Sequence, residues 1–136
     1  MPFVLDASTT AAWCFPDEED PAADTAFDRL AVDPAIVPAL WWVEIRNILI
    51  MGQRRGRIDD LECARFIADL GGLPIHIDRE PVSDVVLALA RAHSLTAYDA
   101  VYLELALRQA VPLATLDRRL AAAARVSGVH VVGQIS

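Results

Sequence analysis

The chain has 136 residues, 54 % of them apolar, with 12 arginines, no lysine and a formal net charge of -7. That length suits one domain, residues 1–136, with a real core, and the composition excludes a disordered chain. The missing lysine excludes a phosphate-binding P-loop, and the acidic balance argues against a broad nucleic-acid-coating surface while leaving room for a nuclease that touches the backbone through a few arginines.

Phe3 to Asp6 (FVLD) is a short apolar run after a proline, which predicts a buried strand. ASTTAAW follows with helix-starting hydroxyls, and PDEED reads as an exposed acidic turn. DPAADTAFDRLAV predicts a helix with Asp20 as N-cap and Pro21 at the first helical position. Ala35 to Val37 is a second short strand. ALWWVEIRNILIM lies in a helix expected from about Leu40 to Arg55 and broken by Gly56. IDDLECARFIADL is an amphipathic helix closed by Gly71 and Gly72. Ile75 to Ile77 is a third strand, EPVSDVVLALARAHS a helix, and Thr96 caps AYDAVYLELALRQA. Pro112 to Thr115 is a fourth strand, DRRLAAAARVS a helix stopped by Gly128, and VHVV a last strand. Short apolar strands alternating with helices call for a parallel sheet covered on both faces.

Cys14 and Cys63 have no CxxC spacing and are expected to be reduced thiols. His76, His93 and His130 occur singly, which argues against zinc. No charged-then-apolar leader opens the sequence and no apolar run reaches membrane-spanning length, so a cytoplasmic protein is expected. Arginines cluster in QRRGR (Arg54, Arg55, Arg57) and at Arg118 and Arg119, either as solvated helix ends or as phosphate contacts.

In open α/β sheets ligands bind beyond the carboxyl ends of the strands, so acids that follow strands carry the most information. Asp6 ends the first strand and Asp117 follows the fourth, and either could be a helix N-cap. Asp99 lies three residues after Thr96, which suits a first-turn acid, but apolar neighbours surround it. Glu44 sits in an apolar helix with Leu40, Trp41, Asn47 and Ile48 as its helical neighbours, so no basic residue falls at pairing distance. Its partner is either a distant arginine or a metal. Four carboxylates converging on one cleft would raise one another's pKa unless a cation bound among them, and hard oxygen donors suit Mg²⁺ or Mn²⁺. Ser8 and Thr115, each two residues from one of these acids, could orient a carboxylate or cap a turn.

The order of VLDAS, WWVEIRN, LTAYDAVYLELA and LATLDRRL, along essentially the whole chain, resembles the PIN domain, and most of all the ribonuclease toxins of VapC type from type II toxin–antitoxin pairs. The resemblance implies a three-layer α/β/α sandwich with a central parallel sheet of four to five strands, its first and fourth strands adjacent at the centre. It implies Asp6, Glu44, Asp99 and Asp117 as a catalytic, metal-holding acidic quartet, with Ser8, Asn47 and Thr115 in support. It further implies cleavage of RNA with Mg²⁺ or Mn²⁺, a homodimer, and a cognate antitoxin that blocks the site. The alternatives are a PIN nuclease of RNA processing without an antitoxin, or a non-catalytic module of the same fold using Trp41 and Trp42 as interface anchors. A phosphatase with Asp6 as nucleophile would want a second acid at position 8 and a lysine, and the chain has Ser8 and no lysine.

Overall fold

Phe3, Val4 and Leu5 have no solvent exposure, and they form strand β1 (Phe3–Leu5) inside a four-stranded parallel sheet. The structure is a computed structural model that describes residues 1–134. After β1 come α1 (Ala7–Ala12), α2 (Pro21–Arg29), β2 (Ala35–Pro38), α3 (Ala39–Arg54), α4 (Asp60–Gly71) and β3 (Ile75–Asp78). The second half contributes α5 (Ser83–His93), α6 (Ala97–Gln109), β4 (Leu113–Ala114) and α7 (Arg118–Val126). The strand order is β3-β2-β1-β4, with Val4 paired to Ile36 on one side and Leu113 on the other.

That order sets the layers. Parallel crossovers are right-handed. The connections β1 to β2 and β2 to β3 step in one direction and lay α1 to α4 on one face. The return from β3 to β4 steps the other way and lays α5 and α6 on the opposite face. Packing agrees: α1 rests on α2 and α3, while α6 rests on α5, α7 and strands β1, β2 and β4. The result is the expected α/β/α sandwich. The reversal of direction falls between β1 and β4, and there their carboxyl ends diverge into helices.

The element boundaries follow local chemistry. Asp20 caps α2 by accepting from the Ala22 N–H at 2.8 Å, with Pro21 at the first helical position. Asp59 and Glu62 form a reciprocal capping box at α4. Gly56, at φ 72°, lets the chain turn after α3. Glu104 on α6 is 1 % exposed and is compensated by Arg108, one turn on, at 2.7 Å. Arg108 also reaches Asp78 at 2.6 Å, which fastens α6 to the end of edge strand β3 and holds the Asp78 carboxyl below its ordinary pKa. Among the described residues no helix is long and apolar enough to cross a membrane.

Two strand expectations need correction. VHVV is not a strand: it contributes a single bridge, Val131 to Leu113. Gly128 and Gly133 both sit in the left-handed region and turn the chain on either side, leaving four residues between them. The fourth strand shrinks to Leu113–Ala114 and lies at the edge of the sheet rather than its centre, although it is adjacent to β1 as expected.

Gly52 on α3 faces the ring of Phe15, and a Cβ there would come within 2.8 Å of Phe15 Cζ. Phe15 is 2 % exposed, and the Arg57 guanidinium lies 4.0 Å from its ring centroid, so accommodating a Cβ would disturb that stacking. Helix propensity favours Ala over Gly by about 1 kcal/mol, but overpacking costs about 1–3 kcal/mol. Gly52→Ala is therefore expected to lower stability in urea denaturation. Gly71→Ala, where a Cβ meets nothing within 4 Å, should be neutral or stabilising. Equal effects of the two substitutions would refute the packing argument.

Candidate active site

Asp6 lies where β1 gives way to α1. The residue is 4 % exposed, and its carboxylate accepts hydrogen bonds from three residues, two in α1 and one after β4. The Thr9 N–H donates to Oδ1 at 2.9 Å, which makes Asp6 the N-cap of α1. Ser8 Oγ lies 2.8 Å and 2.9 Å from the two oxygens. Thr115 Oγ1, from the segment after β4, donates to Oδ2 at 2.5 Å. These bonds lower the Asp6 pKa, but burial outweighs them and the group stands above its ordinary value.

Both hydroxyls also accept. Ser8 Oγ receives the Leu116 N–H at 3.0 Å, and Thr115 Oγ1 receives the Asp117 N–H at 3.0 Å. Asp117 in turn caps α7, with Oδ1 accepting from the Leu120 N–H at 2.8 Å. The cap reading of Asp6 and Asp117 thus holds for both residues. Capping employs one oxygen of the exposed Asp117 and leaves the other without a hydrogen bond among the described residues.

Asp99 is half-buried in the first turn of α6, behind its cap, Thr96. Its N–H donates to Thr96 Oγ1 at 3.1 Å. Burial raises the Asp99 carboxyl, the charge of Asp117 raises it further, and the bond to Thr96 opposes both. Glu44 is half-buried on α3. Burial raises it first, the hydroxyl of Tyr102 pulls it down, and the charges of Asp6 and Asp99 push it up again. Glu44 is thus coupled to Asp6 and Asp99, and Asp99 to Asp117. None of the four acids takes part in an ion pair among the described residues.

The partner of Glu44 is Tyr102, whose hydroxyl donates to Oε1 at 2.5 Å. Burial, then Glu44 itself, hold that phenol far above its ordinary pKa, so it remains a donor. Sequence reasoning missed Tyr102, although it lies one turn after Asp99 on the same face of α6 and was a signal available to find. Arg46 does not serve Glu44: its guanidinium stacks 3.6 Å from the Trp42 ring centroid and donates to Trp42 O. Helix α3 is pinned next to Glu44 by Trp41, whose Nε1 donates to Thr10 Oγ1 at 3.0 Å, and Thr10 donates to the Asp6 carbonyl at 2.8 Å. Trp41 is core, while Trp42 is half-exposed.

Other candidates separate from this group. Asn47 is exposed and makes no side-chain hydrogen bond among the described residues. Arg57 is committed to Asp17 and Glu18 and to the face of Phe15. Arg118 and Arg119 are exposed in the first turn of α7, beside Asp117. Cys14 and Cys63 are free thiols. Among the described residues no three His, Cys, Asp or Glu side chains stand close enough together to grip a metal ion as they are. The chemistry of the donor set nonetheless fits a hard divalent cation. Three of the four carboxyls are raised by burial, two of them by neighbouring charge as well, and no protein cation offsets them.

An upward shift in the folded state means that the native protein binds the proton more tightly than the unfolded chain. The stability these acids contribute is full below the ordinary carboxylate pKa near 4 and is lost as the pH rises through the raised values. Replacing Asp6 by Asn removes its share. In EDTA, the stability of Asp6→Asn relative to wild type should climb as the pH rises from 4 to 7.5. The climb is about 1.4 kcal/mol for each unit by which the carboxyl is raised. Urea denaturation across that range reads it, and a pH-independent difference would contradict the shift.

The PIN domain family model matches residues 3–126. The chain is 34 % identical over 125 residues to Ribonuclease VapC3 of Pyrobaculum aerophilum, covering 89 % of this chain and 93 % of that protein. Its fold matches the crystal structure of PAE2754 from Pyrobaculum aerophilum with a TM-score of 0.74, at 25 % identity, over 97 % of this chain and 90 % of that one. It also matches the fold of a chain in a toxin–antitoxin complex from Klebsiella pneumoniae, with a TM-score of 0.58 at 17 % identity, over 88 % of this chain and 89 % of that one. A sheet that reverses direction between β1 and β4, an acid at each of those strand ends and a family match over nearly the whole length lead to one conclusion: the chain belongs to the PIN domain family.

Proposed function

We propose that the protein is a metal-dependent endoribonuclease, the toxin of a type II toxin–antitoxin pair, acting through Asp6, Glu44, Asp99 and Asp117. The observation that supports this reading is a chain of coupled carboxyls around the β1 and β4 ends, in which Glu44 feels the charges of Asp6 and Asp99, Asp99 feels that of Asp117, and none of the four has an ion-pair partner among the described residues. The identity with Ribonuclease VapC3 supports RNA as the substrate class. The likeness to a toxin–antitoxin complex accords with an antitoxin partner.

Asp6 and Asp99 are the direct ligands for Mg²⁺ or Mn²⁺ in this reading, with Glu44 and Asp117 binding directly or through water. When bound, the ion polarises the phosphodiester and makes water a competent nucleophile at neutral pH. The chain's own residues do the rest. Ser8, Thr9 and Thr115 hold the Asp6 carboxylate in one orientation. The N-terminal ends of α6 and α7, next to Asp99 and Asp117, favour an anionic phosphate. Arg118 and Arg119 are better placed than Arg57 to touch the RNA backbone, since Arg57 is held in its ion pairs. Half-exposed Trp42, with exposed Val43 and Ile50, gives α3 an apolar strip suited to a homodimer contact.

Wild-type protein should cut an RNA pool with Mg²⁺ or Mn²⁺ and stop in EDTA. Asp6→Asn and Asp99→Asn should each lose more than the roughly 10–100-fold that an outer-shell partner costs, while circular dichroism remains that of the folded protein. Cleavage by either variant at the wild-type rate would remove it from the site.

A further inference from the structure

We propose that Tyr102 is a positioning residue, which holds the Glu44 carboxylate by one oxygen and leaves the other free for the cation; this rests on the nuclease reading above. A glutamate on a half-buried helix face has three rotatable bonds and many competing rotamers. No neighbour on α3 restrains it. Leu40, Trp41 and Ile48 are apolar, Asn47 makes no side-chain hydrogen bond among the described residues, and Arg46 is folded onto Trp42. The Tyr102 hydroxyl, at 2.5 Å from Oε1, is the only hydrogen-bond donor to the carboxylate among the described residues.

The donor is itself buried. Tyr102 is 2 % exposed, and its hydroxyl links α6 to Glu44 on α3. Tyr102 also shares one face of α6 with Asp99, three residues earlier. One helix thus supplies an acid of the site and the hydroxyl that aims another helix's acid towards it. With Oε1 occupied, Oε2 is the oxygen of Glu44 available to a metal or its water. The logic is that of outer-shell partners that orient metal ligands.

Tyr102→Phe keeps the ring and removes only the donor. Mn²⁺ titration of the protein without RNA, read by electron paramagnetic resonance, should show a Kd raised about 10–100-fold. Cleavage at saturating Mn²⁺ should show a reduced kcat with the KM for RNA unchanged. Glu44→Asp, which withdraws the carboxylate from the hydroxyl and leaves Tyr102 packed, should weaken Mn²⁺ binding similarly. Tyr102→Phe should add nothing in a Glu44→Gln background. A wild-type Mn²⁺ Kd in Tyr102→Phe would overturn the inference while leaving the nuclease reading intact. An undiminished Tyr102→Phe effect in the Glu44→Gln background would overturn it too, since the tyrosine would then act through the fold. Failure of the wild type to bind Mn²⁺ or cut RNA would overturn the nuclease reading, and this inference with it.

Discussion

A carboxylate taken almost wholly out of water, with no cation of the chain beside it, is the constraint on which this structure turns. Desolvating an ion costs several kcal/mol unless hydrogen bonds or opposite charge compensate. At Asp6 the compensation is assembled from three places: the amide of Thr9 in α1, the hydroxyl of Ser8 in the same turn, and the hydroxyl of Thr115 more than a hundred residues away. Two of these bonds are local to the start of α1 and the third ties it to the turn after β4. Burial still outweighs these bonds and leaves the carboxyl above its ordinary pKa.

The sheet order explains why the compensation can come from so far along the chain. Stepping from β1 to β2 to β3 and then back to the other side of β1 brings the beginning and end of the chain edge to edge. The two strand ends then open into helices that lead away on different paths. Asp6 and Asp117 cap the helices that start there, and Ser8 and Thr115 link the two caps. Fold topology, helix capping and clustering of negative charge are therefore three descriptions of one place.

Much of this was legible locally. Asp20 with Pro21, and Thr96 before AYD, announce helix starts because capping is a matter of a few adjacent atoms. Asp6, Glu44, Asp99 and Asp117 stood out because each occupied a position that local chemistry only half explained. What escaped was set by distance along the chain. Tyr102 lies 58 residues from Glu44, and its ring could equally have been ordinary core. The last apolar segment has the composition of a strand but too little length between two turning glycines to become one. Arg57 looked available because the residues that bind it, Asp17 and Glu18, sit far back along the chain in the acidic turn.

Thr115 has a consequence beyond orienting a ligand. Its hydroxyl proton goes to Asp6 and its lone pair takes the N–H of Asp117, so one oxygen atom serves both a buried strand end and the first turn of the last helix. Terminal helices are where native proteins commonly fray first. Here one hydroxyl oxygen ties the N-cap residue of α7 to the most deeply buried charge in the cleft, so the start of that helix and the end of β1 share a hydrogen-bonding partner.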